Sequence, residues 1–237
     1  QDNKNYIMSS YDSIYSINPS LSKKNLLTKI IFESPNNRIN DADIDLNGQI
    51  WVSTMDIQQK SQTGKVICHD SNLKPIYSDN SYIISNGPVF DYERNVGYVT
   101  DSIKRIIYIF SINDLSGNGI NKKIFLSMNK IDGNPDGMTV DKNGNLWVAM
   151  WGSGKVCCFD KKANLQLILQ LPVSKVTSCT FGGKNLNELF ITTASVGLND
   201  IEAERQPHAG KLFKFVTQEQ GYASNCYRSE NIPDLYH

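Results

Sequence analysis

Short runs of alternating apolar and polar residues, each interrupted by a tight-turn signal, recur along the chain. In one copy, NNRINDADIDLNGQIWVSTM, an alternating run reaches Asn47-Gly48 and resumes at Ile50-Trp51-Val52. In another, GNPDGMTVDKNGNLWVAMWGSGKVCCFD, the turn is Asn143-Gly144 and the next run begins with Leu146-Trp147-Val148. Alternation with a period of two is typical of strands with one buried face, and Asn-Gly between two such runs predicts a hairpin.

Two more copies complete a repeat. One is ISNGPVFDYERNVGYVTDSIKRIIYIF with Asn86 at its head, and the other is VTSCTFGGKNLNELFITTAS, which starts at Val176. The turns recur about every forty to fifty residues, a spacing typical of propeller blades. We therefore predict an all-β β-propeller that forms a single domain over residues 1–237. Its strands fall into three before Asn36, three units of four and a final set of about three, or roughly eighteen in total.

Composition agrees with a soluble β domain and excludes two classes of partner. Hydrophobic residues make up 40% of the chain, which is enough to form a substantial core. Lys plus Arg equals Asp plus Glu at 24 each, without a recurring basic cluster, so we expect no nucleic-acid partner. The longest apolar runs, such as IIYIF and LQLILQLP, fall far short of the roughly 20 residues of a membrane-spanning helix, so we expect no membrane partner.

The cysteines and potential glycosylation sites favour a cytoplasmic protein. The five cysteines are odd in number and lack C-x-x-C spacing, which predicts reduced, buried thiols. No Asn-x-Ser/Thr sequon is usable, because the one at Asn18 contains Pro19. The chain begins at Gln1 without an initiator methionine, so a removed or missing N-terminal segment stays open as an alternative.

Oxygen-bearing side chains stand at the heads of the predicted inner strands. The inner strands of a propeller line one central channel, so residues that are distant in sequence meet at its mouth. The residues at these heads are Asn40 and Asp41, Asn86, Asp136 and, near the fourth copy, Ser178. Amide, carboxylate and hydroxyl oxygens are the ligands of hard divalent cations such as Ca²⁺ or Mg²⁺.

The histidines and serines offer no alternative chemistry. His69, His208 and His237 are far apart in sequence and show no zinc-ligand spacing with one another or with cysteine. The chain also contains no G-x-S-x-G nucleophile motif. Any hydrolysis would therefore use a metal ion. We assign Trp51 and Trp147 to packing. For Trp151, which follows Met150 at a predicted loop, we also expect packing, with contact to a ligand as the alternative.

Several segments together resemble the regucalcin (senescence marker protein) and gluconolactonase family. They are NNRIND, ISNG, PDGMTVDKNGNLWVA, LPVSKVTSCTFGGKNLNELFITTAS and RQPHAG, in order and in register from about Tyr6 to Phe215. The family consists of six-bladed β-propellers that are metal-dependent lactone hydrolases. The resemblance therefore implies a gluconolactonase-like enzyme that opens a sugar lactone by attack of water, with the lactone as its small-molecule partner.

The resemblance also implies roles for individual residues. Asn86 and Asp136 fall on two of the family's three protein ligands to the metal, and Asp136 also falls on its general base. Arg38 and Asn40 fall on positions that contact the lactone, while Asp41 beside them is expected to hold the loop in shape. The implied cofactor is one divalent metal ion, Ca²⁺ first, with Zn²⁺, Mg²⁺ and Mn²⁺ as alternatives. We expect a monomer.

One feature of the family is missing from the pattern. Its third metal ligand is a glutamate in an E-x-P motif that would align upstream of Gln1. Glu33 in FESP resembles this motif, but it runs directly into NNRIND and belongs by register to the neighbouring loop, so we reject it. We therefore expect an N-terminally incomplete propeller of about 4.5–5 blades. Two alternatives stay open: a fragment of a working lactonase, or a naturally short, inactive or calcium-binding propeller that serves as a scaffold.

Overall fold

The chain folds into antiparallel β-strands joined by short turns. The computed structural model describes residues 5–18, 20, 22–114 and 120–228. The strands in this part are β1 (Tyr6–Ser10), β2 (Ser13–Asn18), β3 (Lys23–Lys29), β4 (Asn37–Ile44), β5 (Ile50–Asp56), β6 (Gly64–His69), β7 (Pro75–Tyr82), β8 (Ser85–Asp91), β9 (Val96–Asp101), β10 (Ile106–Ser111), β11 (Lys122–Ser127), β12 (Asn134–Val140), β13 (Leu146–Trp151), β14 (Lys155–Phe159), β15 (Leu165–Gln170), β16 (Val176–Gly182), β17 (Glu188–Thr193) and β18 (Phe213–Val216). A short 3₁₀ helix covers Ile112–Asp114, and the helix α1 covers Asp200–Arg205.

These strands form five sheets in which each strand pairs with its neighbours in sequence. The sheets are β1–β3, β4–β7, β8–β11, β12–β15 and β16–β18. Sets of three, four, four, four and three strands confirm the predicted grouping for the described residues. Sequential antiparallel sheets of about four strands are the blades of a β-propeller. The fold is therefore an all-β β-propeller with five blades in the described part.

The chain divides into two compact units, each with its own core. The first unit takes the described residues of Gln1–Pro88, Asp114–Asn121 and Ser224–His237, and the second takes those of Val89–Asn113 and Lys122–Ala223. The core of the first unit contains Ile14, Ile30, Ile39, Ile50, Val52 and Tyr227. The core of the second unit includes one cluster around Trp147, Cys179 and Leu189 and another around Tyr98, Met138 and Leu146.

Two of the predicted Asn-Gly turns are built on a buried aspartate. Asp141 accepts hydrogen bonds from the turn amides of Asn143 and Asn145 and from the indole Nε1 of Trp147, each at 2.9 Å. Asp45 binds Trp51 Nε1 in the same way, at 3.0 Å. Both carboxylates are almost inaccessible to water, at 2% for Asp45 and 0% for Asp141. The repeated tryptophan thus packs in the core and also supplies a donor to the turn.

The turn between β8 and β9 is also built on a buried aspartate, but the side chains that bind this aspartate are different. Asp91 is 1% exposed and pairs with the Nε of Arg94 at 2.6 Å. The guanidinium of Arg94 also donates a hydrogen bond to the hydroxyl of Tyr98, which is fully buried in the core. An arginine therefore bridges the buried carboxylate and the aromatic residue.

His69, at the end of β6, is a buried histidine whose Nδ1 has no hydrogen-bond partner among the described residues. It pairs with Ile50 in the ladder, and the corresponding pair in the fourth sheet is Leu146 with Phe159. The repeat thus shows that a phenyl ring fits this position. We expect His69→Phe to raise the free energy of unfolding by about 1 kcal/mol near pH 7, because it removes an unsatisfied buried polar atom.

The stability difference between His69→Phe and the parent should widen as the pH falls. Desolvation lowers the pKa of His69, opposed by a hydrogen bond with Ile50 and by Asp70. Below a pH of about 6.5, His69 is therefore protonated in the unfolded chain but stays neutral in the folded chain. The free energy of unfolding of the parent falls as a result, whereas that of His69→Phe does not. Urea unfolding at pH 7.5 and 5.5 measures this, with exposed His208→Gln as control. Parallel pH profiles for His69→Phe and the parent would contradict the assignment.

Candidate functional site

In three of the sheets, the first strand carries a β-bulge at the same position of its pairing with the second strand. In β4 the register shifts between Ile39 and Asp41, so that Asn40 is the extra residue. In β16 it shifts between Val176 and Ser178, and the extra residue is Thr177. In β12 the shift lies between Pro135 and Met138 and involves Asp136 and Gly137. Bulges re-aim side chains and are over-represented next to active sites.

Three of the residues predicted for the site occupy one repeated position. Asn40, Asn86 and Asp136 each lie five residues before the aspartate that begins the following turn. In β16 the bulge residue is Thr177, whereas the sequence pattern placed Ser178 near this point, one residue further on. The side chains at this position are therefore two amides, one carboxylate and one hydroxyl.

In the first unit, a predicted substrate residue contacts a predicted metal ligand. Asn40 Nδ2 donates to Asn86 Oδ1 at 2.9 Å and to the carbonyl of Ser85 at 3.0 Å. Asn86 is 3% exposed, so its amide is held in one place. An amide oxygen has two lone pairs, and Asn40 uses one of them, so Asn86 Oδ1 can also face a cation.

Asp41 supports the same arrangement. One of its carboxylate oxygens accepts from the amide of Ala42 at 2.9 Å, and the other accepts from the amide of Gly87 at 2.8 Å. Desolvation raises the pKa of Asp41, and the two amide hydrogen bonds oppose this rise. Since Gly87 follows Asn86, Asp41 fixes the backbone beside the candidate ligand, in line with its predicted structural role.

Arg38 lies at the start of β4, two residues before the bulge, and pairs with Met55 on β5. Its side chain is half-buried, and Nη1 donates to the carbonyl of Ile39 at 2.8 Å. The guanidinium is therefore anchored near Asn40 by its own strand.

Two other carboxylates near this segment have structural partners. Glu33, rejected above as a metal ligand, is 81% exposed and forms an ion pair of 2.6 Å with Lys65. Asp56 accepts from the backbone amides of Ser61, Lys60 and Gln58, and these bonds, that of Ser61 first, lower its pKa. Asp56 therefore shapes the turn after β5.

In the second unit, the bulge of Asp136 packs directly against the bulge of β16. A Cβ atom added to Gly137 would lie 2.3 Å from Ser178 Oγ and 2.5 Å from Ser178 Cβ, so only glycine allows this approach. Asp136 is half-buried and Met138, two residues on, is buried. The close approach places Gly137, the residue after Asp136, directly against Ser178.

Within each unit, the repeated position offers oxygen donors of the type that hard cations bind. Among the described residues, no group of three or more His, Cys, Asp or Glu side chains is placed to hold a metal ion. The bulge positions instead offer amide and carboxylate oxygens, which are the ligands of Ca²⁺ and Mg²⁺.

None of the helices in the described part is long and apolar enough to cross a membrane.

The thiols lie outside this donor set. Cys68, Cys157, Cys158 and Cys179 are free and buried, as predicted, but Cys226 is exposed. Sequence alone gave no means of separating Cys226 from the others, because it follows the last predicted strand and belongs to no alternating run. Desolvation raises the pKa of Cys158 to about 12, which leaves that thiol protonated and a poor metal ligand.

Comparison with known proteins identifies the family. The family model described as "SMP-30/Gluconolactonase/LRE-like region" matches residues 1–195, and the chain belongs to this family. A Bacillus subtilis protein named "Putative sugar lactone lactonase YvrE" is 37% identical over 78% of this chain and 64% of its own length. Regucalcin from Danio rerio is 33% identical over 77% of this chain and 63% of its own length. The chain thus spans a little under two thirds of these relatives.

A solved structure agrees with the fold. Regucalcin from Agrobacterium tumefaciens, described as a calcium-binding protein, aligns with a TM-score of 0.85 over 96% of this chain and 77% of that one. The two sequences are 22% identical, so this similarity supports the fold alone.

Proposed function

We propose that this protein is a divalent-metal-dependent hydrolase of sugar lactones, similar to gluconolactonase, that opens the lactone ring by attack of water. Membership of the family supports the class of reaction. The observation that carries the proposal is the shared position of Asn40, Asn86 and Asp136, three polar residues that strand formation does not require.

In this proposal Asn86 and Asp136 hold one divalent cation, with Ca²⁺ first and Zn²⁺, Mg²⁺ and Mn²⁺ as alternatives. An amide oxygen and a carboxylate suit Ca²⁺, and the description of a structural relative as calcium-binding points the same way. When bound, a divalent ion polarises a carbonyl as a Lewis acid. Because these two residues are the ligands that we assign in this chain, we expect it to bind the cation weakly.

The remaining steps use side chains of this chain. Asp136 accepts the proton of the attacking water as general base. The fork of Arg38 binds two oxygens of the sugar at once, as a planar guanidinium can. Both Nδ2 hydrogen bonds of Asn40 go to Ser85 and Asn86, so its Oδ1 is the atom that accepts from a ring hydroxyl.

The proposal extends to the whole protein. We infer a six-bladed propeller in which a glutamate of an E-x-P motif gives the third ligand, and a monomeric cytoplasmic enzyme. The partial span of the relatives supports this view of a longer active protein. The second candidate is a short propeller that binds calcium without catalysis, and the description of a structural relative as calcium-binding fits it.

A chelation experiment tests the proposed function. Hydrolysis of glucono-δ-lactone is measured above the spontaneous background before and after removal of metal with a chelator, and after return of Ca²⁺, Zn²⁺, Mg²⁺ or Mn²⁺. We expect chelation to abolish hydrolysis and at least one metal to restore it. An unchanged rate after chelation would refute metal dependence. Calcium binding without hydrolysis under any of the four metals would favour the scaffold.

A further inference from the structure

Lys175 occupies the position in the last sheet that Arg38 occupies in the second sheet. Lys175 lies two residues before the bulge residue Thr177, and Arg38 lies two residues before Asn40. The repeat therefore places a second positively charged side chain at the start of the first strand of a sheet, in the unit that contains Asp136. The sequence pattern assigned no role to Lys175.

Trp151 holds the ammonium of Lys175 near the strand of Asp136. Lys175 forms a β-bridge with Trp151, and its Nζ lies 5.5 Å from the centroid of the indole ring. Trp151 also pairs with Asn134, two residues before Asp136. A cation over an aromatic face is stabilised by the ring electrons. The tryptophan assigned to packing thus positions a charge.

This charge has no anionic partner among the described residues. Lys175 is half-buried and donates one hydrogen bond, 2.5 Å long, to the carbonyl of Val196. None of the ion pairs in this part of the chain includes it. An ammonium has three donors, so two remain for a ligand. A half-buried cation without a carboxylate partner favours an anion.

We propose that Lys175, positioned by Trp151, binds a carboxylate of the substrate, so that the site prefers acidic sugar lactones to neutral ones. This inference rests on the proposed function and names its substrate class. Because water reaches the ammonium, we expect a preference of about fivefold, the size of a favourable accessible ion pair, and expect added salt to weaken it.

Two stable sugars that differ in one carboxylate test the preference without turnover. NMR titration of the full chain gives the Kd of methyl β-D-glucuronide and of methyl β-D-glucoside. We expect the parent to bind the glucuronide about fivefold more tightly. Lys175→Met should abolish the preference, Lys175→Arg should keep most of it, and Trp151→Leu should reduce it. Equal affinities for both sugars in the parent, or no binding of either, would overturn the subsite.

Gln206→Leu separates anion binding from a structural role of Lys175. Gln206 Oε1 accepts a hydrogen bond from the amide of Ser174 at 2.6 Å, which connects the segment after β17 to the start of β16. The hydrogen bond from Lys175 to Val196 connects the same two parts of the chain. We expect Gln206→Leu to keep the preference. If it removes the preference as fully as Lys175→Met does, Lys175 acts by tying the loop and the proposal is wrong. A parent that shows the preference but hydrolyses no lactone would refute only the proposed function.

Discussion

Asp136→Asn is expected to lower the hydrolysis of gluconolactone by about 10²–10⁴, the usual cost of losing a general base. The side chain keeps its size but can no longer accept the proton of the attacking water, and it loses a charge that favours a cation. Kinetics above the spontaneous background, at saturating Ca²⁺, measure the effect. Hydrolysis at the parent rate would refute the assigned role.

The fold should survive this substitution, because the equivalent position of the repeat holds asparagine in Asn40 and Asn86. Thermal unfolding of Asp136→Asn without metal should therefore be level with the parent or higher. Asp132→Asn is a suitable control, since Asp132 lies on the same approach to β12 but is 91% exposed and 3.6 Å from Lys155. We expect it to leave the rate unchanged. An unfolded Asp136→Asn would contradict the tolerance that the repeat indicates.

Asp141→Ala is expected to lower the free energy of unfolding by about 3 kcal/mol or more, because it leaves several buried donors without an acceptor. Asp141 is fully buried and accepts from two backbone amides, from Asn145 Nδ2 and from Trp147 Nε1. Water cannot replace the carboxylate there. Urea unfolding measures the loss.

Asp160→Ala is the matched control for Asp141→Ala. Asp160 accepts from Lys162 and Asn164 amides and from Asn164 Nδ2 with nearly the same geometry, but at the surface. Water replaces these bonds, so we expect a loss below about 1 kcal/mol. Equal losses in the two variants would show that burial does not decide the contribution of this turn.

The strand grouping was predictable because each copy marks its own turn. The turns at Asn47, Asn143 and Asn185 separate antiparallel partners, and counting runs between them gave the observed sheets. The bond between Asp141 and Trp147 was not predicted, although both residues recur at a fixed spacing in the two Asn-Gly copies. That recurrence is the signal that could have revealed it.

The site was predictable only in part. The family resemblance predicted Asn86 and Asp136, but the register that places Thr177 at the bulge of β16 depends on an extra residue that alternation does not show. Likewise, the role proposed for Lys175 depends on its β-bridge with Trp151, and no local sequence pattern predicts that bridge. Pairings between separate sheets of this kind require the fold.

We propose above all that Asn86 and Asp136 bind the same divalent ion. A crystal structure of the full-length protein grown with Ca²⁺ tests it most directly. We expect one ion with Asn86 Oδ1 and a carboxylate oxygen of Asp136 both within about 2.3–2.6 Å. An ion coordinated elsewhere, or one that contacts only one of these two residues, would contradict the account.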